Sequence, residues 1–267
     1  MYPNQLFFGL GLYELSIAVG FLGALLYFRI FADRSGFGAT LQNLVIVGAL
    51  FGIVGGYCSA VLFQAFYNYL ESGIFEIVGN TGATFYGGLI GGAACFLLIY
   101  FGVGTLILRK TGETPTSRFW RLTEIAAGSI ALAHGFGRLG CLFAGCCHGK
   151  VTDAWYGVYN AYLDAKTVPV QLFEAIFLFA LAAYMTYRIV KGEYGNLGLY
   201  LSAYAVWRFT VEFLRTDDRG QSPLSFLTPS QFIAVCLFAI GAALWIVEGN
   251  LIRRNTKKEG EELNETA

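Results

Sequence analysis

The sequence predicts an all-α, polytopic integral membrane protein of about seven transmembrane helices. Hydrophobic residues make up 56% of the chain and charged residues only 13%, against roughly 25% charged in an ordinary soluble domain. Seven apolar runs come close to the 20 or so residues needed to cross a hydrocarbon core about 30 Å thick. Glycine occurs 34 times in 267 residues, and small residues let helices approach closely where lipid supplies no hydrophobic drive for their association.

The first run, Leu6 to Phe28, has no Lys or Arg before it. It therefore lacks the basic start of a signal peptide and is expected to stay in the protein as a helix. Arg29 and Arg34 follow it, ahead of the second run, Leu44 to Phe63. The third, Thr84 to Leu108, is closed by Arg109 and Lys110, and Arg118 and Arg121 precede the fourth, Leu122 to Ala144. The fifth, Val170 to Tyr187, is short for a span and ends at Arg188 and Lys191. The sixth, Gly195 to Leu214, leads to Arg215 and Arg219, and the seventh, Ser230 to Val247, to Arg253, Arg254, Lys257 and Lys258.

Twelve of the eighteen Lys and Arg residues fall in one set of loops and ends. Four, Lys150, Lys166, Arg215 and Arg219, fall in the other. Cytoplasmic loops hold the excess of basic residues, so the N-terminus is expected outside and the C-terminus in the cytoplasm. Residues 1–252 read as one transmembrane helical domain. Residues 253–267, RRNTKKEGEELNETA, have no apolar face and read as a disordered cytoplasmic tail. A net charge of zero argues against nucleic acid as a partner, and the lack of an internal repeat argues against a two-fold transporter.

The remaining basic residues, Arg138 and Arg208, lie inside spans. A charge at the centre of a spanning helix costs about 2.5–3.5 kcal/mol on insertion scales, so each should face a polar cavity or a partner. Arg138 sits in HGFGRLGCLFAGCCHGK, which holds both histidines and three of the six cysteines. His134, Arg138 and Cys141 at i, i+4 and i+7 share one helix face. In the sixth span Tyr204, Arg208, Glu212 and Arg215 recur at i, i+4, i+8 and i+11, again one face. Both stripes fall in the outer halves of their spans. Two arginines at similar depth suit an anionic group, because a planar guanidinium matches phosphate oxygens. The structural alternative pairs Arg208 with Glu212, and Arg138 with Glu14, Glu124 or Glu174, to neutralise charge. The C-x4-C-C-H run of Cys141, Cys146, Cys147 and His148 allows packing, thiol redox chemistry or soft-metal binding, although its spacing differs from the C-x2-C of structural zinc sites. Cys58, Cys95 and Cys236 sit in spans and read as packing residues.

The order of TFYGGLIGG (Thr84–Gly92), GFGRLG (Gly135–Gly140), PVQLFE (Pro169–Glu174) and WRFTVEFLR (Trp207–Arg215) resembles prolipoprotein diacylglyceryl transferase along nearly the whole chain. The resemblance implies a multi-pass enzyme of the bacterial cytoplasmic membrane. Its partners would be the bilayer, phosphatidylglycerol as donor and the lipobox cysteine of a preprolipoprotein as acceptor, with no cofactor and no metal. It further implies that Arg138 contacts the lipid head group, that Gly149 closes that motif, that Arg208 and Glu212 form the late Arg-x-x-x-Glu pair, and that Tyr13 is functional. Four positions depart: Tyr86 stands where the family has His, Cys141 where it has Asn, Cys146 where it has Glu, and Tyr57 where it has Arg. The expected set is therefore Arg208, Glu212, Tyr13, Tyr86 and His134 for catalysis, and Arg138, Cys141, Cys146 and Gly149 for substrate binding. A phenol of pKa about 10 is a poor base, so Glu212, His134 and His148 are the substitutes for the missing histidine, the first two favoured. The alternative is a protein on the same scaffold with thiol redox, metal-handling or another lipid-transfer function.

Overall fold

A computed structural model of the chain describes residues 5–7, 9–73, 75, 77, 84–109, 114–215 and 226–265, without the side chains of 5–7, 71, 85, 86, 117 and 249–265. Arg219 and Lys110, counted above among the loop cations, lie outside the described residues. Nearly all of the described chain is helical. The order is β1 (Gln5–Phe7), β2 (Leu10–Gly11), α1 (Leu12–Arg34), α2 (Ala39–Ser72), α3 (Phe85–Leu97), a π-helical stretch (Leu98–Val103), α4 (Gly104–Leu108) and α5 (Pro115–Ala144). Then come β3 (Val158–Asn160), β4 (Ala165–Thr167), α6 (Val170–Val190), α7 (Asn196–Val211), a 3-10 turn (Glu212–Leu214) and α8 (Pro229–Glu265).

Six helices among the described residues are long and apolar enough to span a bilayer: Leu12–Arg34, Ala39–Leu70, Gly87–Leu108, Arg118–Ala144, Val170–Val190 and Pro229–Glu248. The fifth expected span is thus a full 21-residue helix. The sixth expected span is α7, whose 16 residues continue without a break through the 3-10 turn to Leu214, so that the helical run covers about 30 Å. The first span begins later than expected. Gly9, at φ 80°, turns β1 back on antiparallel β2, and the Glu14 carboxylate accepts the Gly11 N–H at 2.8 Å, closing the start of α1. The far end of α8 also differs. Its backbone is helical through Glu265, where the sequence reading expected disorder; Arg, Lys and Glu are strong helix formers once a preceding helix has provided the nucleus.

The chain forms two compact units, each described by itself: Phe31–Trp120, and Met1–Ile30 with Arg121–Ala267. In the first unit α2 and α3 meet along glycines. A Cβ on Gly56 would lie 2.9 Å from the Gly88 carbonyl oxygen, one on Gly92 2.9 Å from that of Gly52, and one on Gly91 2.2 Å from the Ser59 Cβ. The GGLIGG motif is therefore a packing seam. Tyr100 is fully buried in the same unit and donates its hydroxyl hydrogen to the Pro115 carbonyl at 2.9 Å.

In the second unit Ala127 and Ala131 of α5 pack on Leu181, Ala182 and Met185 of α6, with Leu197 and Tyr200 of α7 against them. The Glu124 carboxylate, buried, accepts the N–H groups of Gly195 at 2.7 Å and Asn196 at 2.8 Å. These are donors that the first turn of α7 cannot satisfy internally, and the positive end of the helix favours an anion there. Gly195 stands at φ 95°, a conformation glycine adopts without a steric penalty. The hairpin β3–β4 pairs Tyr159 with Lys166, and its buried Asn160 donates to the Gly145 carbonyl at 3.1 Å. Large apolar side chains face outward along the helices, Leu98 and Leu106 among the most exposed, which suits a lipid surround.

Candidate functional site

Arg138 lies on α5 in the unit formed with α6 and α7. Its Nε is 3.1 Å from Oε1 of Glu174 on α6, whose residue is 1% exposed. The same Nε approaches Nε2 of His134 at 3.3 Å, and Nη2 donates to the Tyr204 hydroxyl at 3.3 Å. Tyr204 in turn donates to Glu174 Oε1 at 2.8 Å. Three helices thus converge on one guanidinium. Of the three acids proposed as its partner, Glu174 fills the role, while Glu14 and Glu124 are occupied at the starts of α1 and α7.

A guanidinium only donates, so Nε2 of His134 is the acceptor in its contact with Arg138. The neutral ring then carries its hydrogen on Nδ1, which faces the Tyr200 hydroxyl at 3.0 Å. With its free lone pair turned toward a cation, His134 holds Arg138 rather than standing open to a substrate proton. Tyr200 was not foreseen, although it stands one turn before Tyr204 on the same face.

Arg208, one turn beyond Tyr204 on α7, pairs with Glu212 at 2.8 Å and donates to Ser230 at the start of α8 at 2.9 Å. The other oxygen of Glu212 accepts from Thr228 at 3.0 Å. Thr228 and Ser230 precede or open a helix, and no periodic signal marks them. Nη1 of Arg208 is buried and has no acceptor among the described residues. Nη1 of Arg138 likewise takes part in none of the contacts above, on a side chain 20% exposed. Each arginine is therefore neutralised by a buried carboxylate yet keeps donors in hand, which is a geometry for gripping an anion.

The segment after α5 folds back on itself. Gly145 at φ 78° and Cys147 at φ 59° both adopt left-handed backbone. For a non-glycine residue this costs on the order of 1–3 kcal/mol and persists only where the surroundings hold it. The surroundings are the Gln171 side chain, which donates to the Cys146 carbonyl at 2.5 Å, and the N–H groups of Gly149 and Lys150, which bond the Val168 and Leu214 carbonyls at 2.9 Å each. As a result the sulfurs of Cys141, Cys146 and Cys147 lie within 4.8 Å of one another. Hydrogen bonds from the other two thiols, then the Arg215 guanidinium, hold the Cys147 thiol well below its ordinary range. His148 does not join this group; its Nδ1–H donates to the Gly149 carbonyl at 2.9 Å.

The remaining sequence-derived positions are less involved. Gly149 is buried, and a Cβ there would lie 2.7 Å from Val170 and 2.8 Å from the Leu214 carbonyl, so its glycine serves close packing. The Tyr13 ring lies beside Gly140, where a Cβ would meet it at 3.1 Å; its hydroxyl makes no hydrogen bond among the described residues. Tyr86 stands in the first turn of α3, its side chain outside the described residues. Tyr57 on α2 is exposed, as is Cys58; Cys95 donates to the Phe51 carbonyl at 3.4 Å.

The family model for prolipoprotein diacylglyceryl transferase matches residues 5–247 of this chain. The chain belongs to that family. Among its relatives, the phosphatidylglycerol–prolipoprotein diacylglyceryl transferase of Clostridium tetani is 32% identical over 251 residues, covering 90% of this chain and 95% of that protein. The second such transferase of Clostridium perfringens is 32% identical over 264 residues, covering 93% and 96%. That of Chromohalobacter salexigens is 31% identical over 243 residues, covering 88% and 86%. As a family member this chain is a multi-pass membrane transferase, and the Arg138 and Arg208 clusters are among the polar groups its helices bury.

Proposed function

We propose that this chain transfers the diacylglyceryl group of phosphatidylglycerol to the lipobox cysteine of a preprolipoprotein in the bacterial cytoplasmic membrane. The observation that carries the reading is the pair of charge-compensated arginines on adjoining helices, each with donors left over. The reaction expels glycerol phosphate, whose developing negative charge is where preplaced donors lower a barrier most. Arg138 and Arg208 take the catalytic part by holding that phosphate. Glu174, His134 and Tyr204 fix the fork of Arg138, and Glu212, Thr228 and Ser230 fix that of Arg208. Glu212 is a positioning residue in this reading, because both of its oxygens are already engaged. The free hydroxyl of Tyr13 is left to the substrate, and Tyr86 is kept in the proposed catalytic set because it occupies the position of the family's histidine.

Expression in a bacterium depleted of its own transferase tests the reading directly. The mass of a reporter lipoprotein should rise by one diacylglyceryl group; an unmodified reporter, with this chain present in the membrane, would refute it.

We further propose that the N-terminus lies outside and the C-terminus in the cytoplasm, with both arginine clusters toward the outer leaflet. The support is the unequal distribution of Lys and Arg. Reporter fusions after Asn160 should read outside and one after Lys191 inside, and an inside reading at Asn160 would reverse the assignment.

A further inference from the structure

We propose that Cys141, Cys146 and Cys147 bind a zinc ion whose fourth position is open to the sulfur of the acceptor cysteine. The second half of this proposal rests on the transfer reading above; the first half does not.

Three sulfurs within 4.8 Å of one another already form the base of a coordination tetrahedron. Zinc bonded at about 2.3 Å holds its sulfurs about 3.8 Å apart, so the group closes on an ion with a contraction of roughly 1 Å or less. The backbone is folded to bring them there. Cys146 and Cys147 follow a left-handed glycine, Cys147 is itself left-handed, and the loop is tied to α6 through Gln171 and to the hairpin through Asn160. Packing alone does not call for a strained cysteine, and Cys146 is exposed. Arg215, 8% exposed, interacts with the Cys147 sulfur and offsets the net negative charge that three thiolates leave on a divalent ion.

Three protein ligands and one open position is the arrangement of catalytic rather than structural zinc. The cluster adjoins the proposed lipid site, since Cys141 lies one turn beyond Arg138 on the same face of α5. An acceptor thiol that coordinates there loses its proton to water. The zinc-bound sulfur then attacks the glyceryl carbon that carries the phosphate ester. The C–S bond forms and the C–O bond breaks. Glycerol phosphate leaves with the bonding pair, and the neutral thioether, a weaker ligand, departs from the metal. This supplies a nucleophile in a chain where the most plausible bases are turned toward arginines.

The test uses the full chain purified in detergent under reducing conditions, loaded with zinc and desalted. Elemental analysis should give one zinc per chain. Alkylation followed by peptide mass mapping should show Cys141, Cys146 and Cys147 shielded by zinc, with Cys58 and Cys236 still reactive. Cys146→Ser and Cys147→Ser should each weaken zinc binding by more than about a hundredfold, and Cys236→Ser should leave it unchanged. Cobalt(II) in place of zinc gives a sulfur-to-metal absorption band, which a synthetic lipobox peptide should shift and its Cys→Ser form should not. Substoichiometric zinc, or zinc binding indifferent to Cys147→Ser, overturns the site. Full transfer by zinc-stripped protein, or a cobalt band that ignores the cysteine peptide, overturns the open position while leaving the transfer reading intact. Zinc-loaded protein that shifts with the peptide but moves no lipid would refute the transfer reading and leave the metal site standing.

Discussion

Arg138→Lys should lower the rate of lipid transfer by roughly a hundred- to thousandfold while the protein continues to accumulate in the membrane. A lysine keeps the positive charge opposite Glu174, so the buried carboxylate stays compensated. What it loses is the planar fork that contacts Glu174 and Tyr204 along one edge and leaves Nη1 for a phosphate oxygen. Removing one preplaced donor from a developing anion costs about 2.7–4 kcal/mol. Arg138→Ala differs in kind, because it strands Glu174, which is 1% exposed. Breaking a buried ion pair from one side costs about 3–5 kcal/mol. The double variant Arg138→Ala, Glu174→Gln separates the two effects: it should restore accumulation but not transfer. Initial rates on phosphatidylglycerol vesicles, with protein quantified in the same preparation, check both. Near-normal turnover by Arg138→Lys would remove Arg138 from head-group recognition.

Glu124→Ala should be the most destabilising single change on α5 outside the arginine cluster. The carboxylate satisfies the N–H groups of Gly195 and Asn196 in a buried setting. Each buried donor left without a partner costs about 1–3 kcal/mol, and charge-assisted bonds fall toward the upper end. A loss of about 2–5 kcal/mol follows if no water enters, to be read as a lower unfolding midpoint in detergent. Glu124→Gln retains one acceptor oxygen and should lose less than half as much. Because α7 carries Tyr204 and Arg208, the alanine variant should also release the contacts made by both. A midpoint for Glu124→Ala within error of the parent would show that the start of α7 is held elsewhere.

How much of this was legible in the sequence differs from element to element. The apolar helices were, because their length is dictated by the bilayer and needs no tertiary knowledge. Both arginines were found as costly exceptions within those runs, and Glu174 was among the partners named for Arg138. The choice of Glu174 over Glu14 and Glu124 was not available, since it depends on how α5, α6 and α7 are juxtaposed. The tightening of the end of α7 into a 3-10 turn at Glu212 was not available either, since hydropathy counts the residues of a run and not their pitch. GGLIGG was read through its family motif, and its glycines turned out to serve contact between α2 and α3. The convergence of three sulfurs depends on two left-handed backbone positions, one at a cysteine, for which no sequence pattern gives warning.

The hairpin β3–β4 and the loop before it carry Trp155, 93% exposed, and Tyr162, 69% exposed, with Tyr156 and Tyr159 also outward. Aromatic side chains of this kind settle at the level of the lipid head groups. The hairpin is joined through Asn160 to Gly145 and through Val168 to Gly149, so a level imposed on its rings is passed to the cysteine loop and the C-terminal end of α5. If transfer runs through Arg138 as proposed, bilayer thickness becomes a variable of it. In a thicker membrane the aromatic float and the rest of the helical frame would seek different levels, and the mismatch would be felt first where the phosphate must meet its arginines.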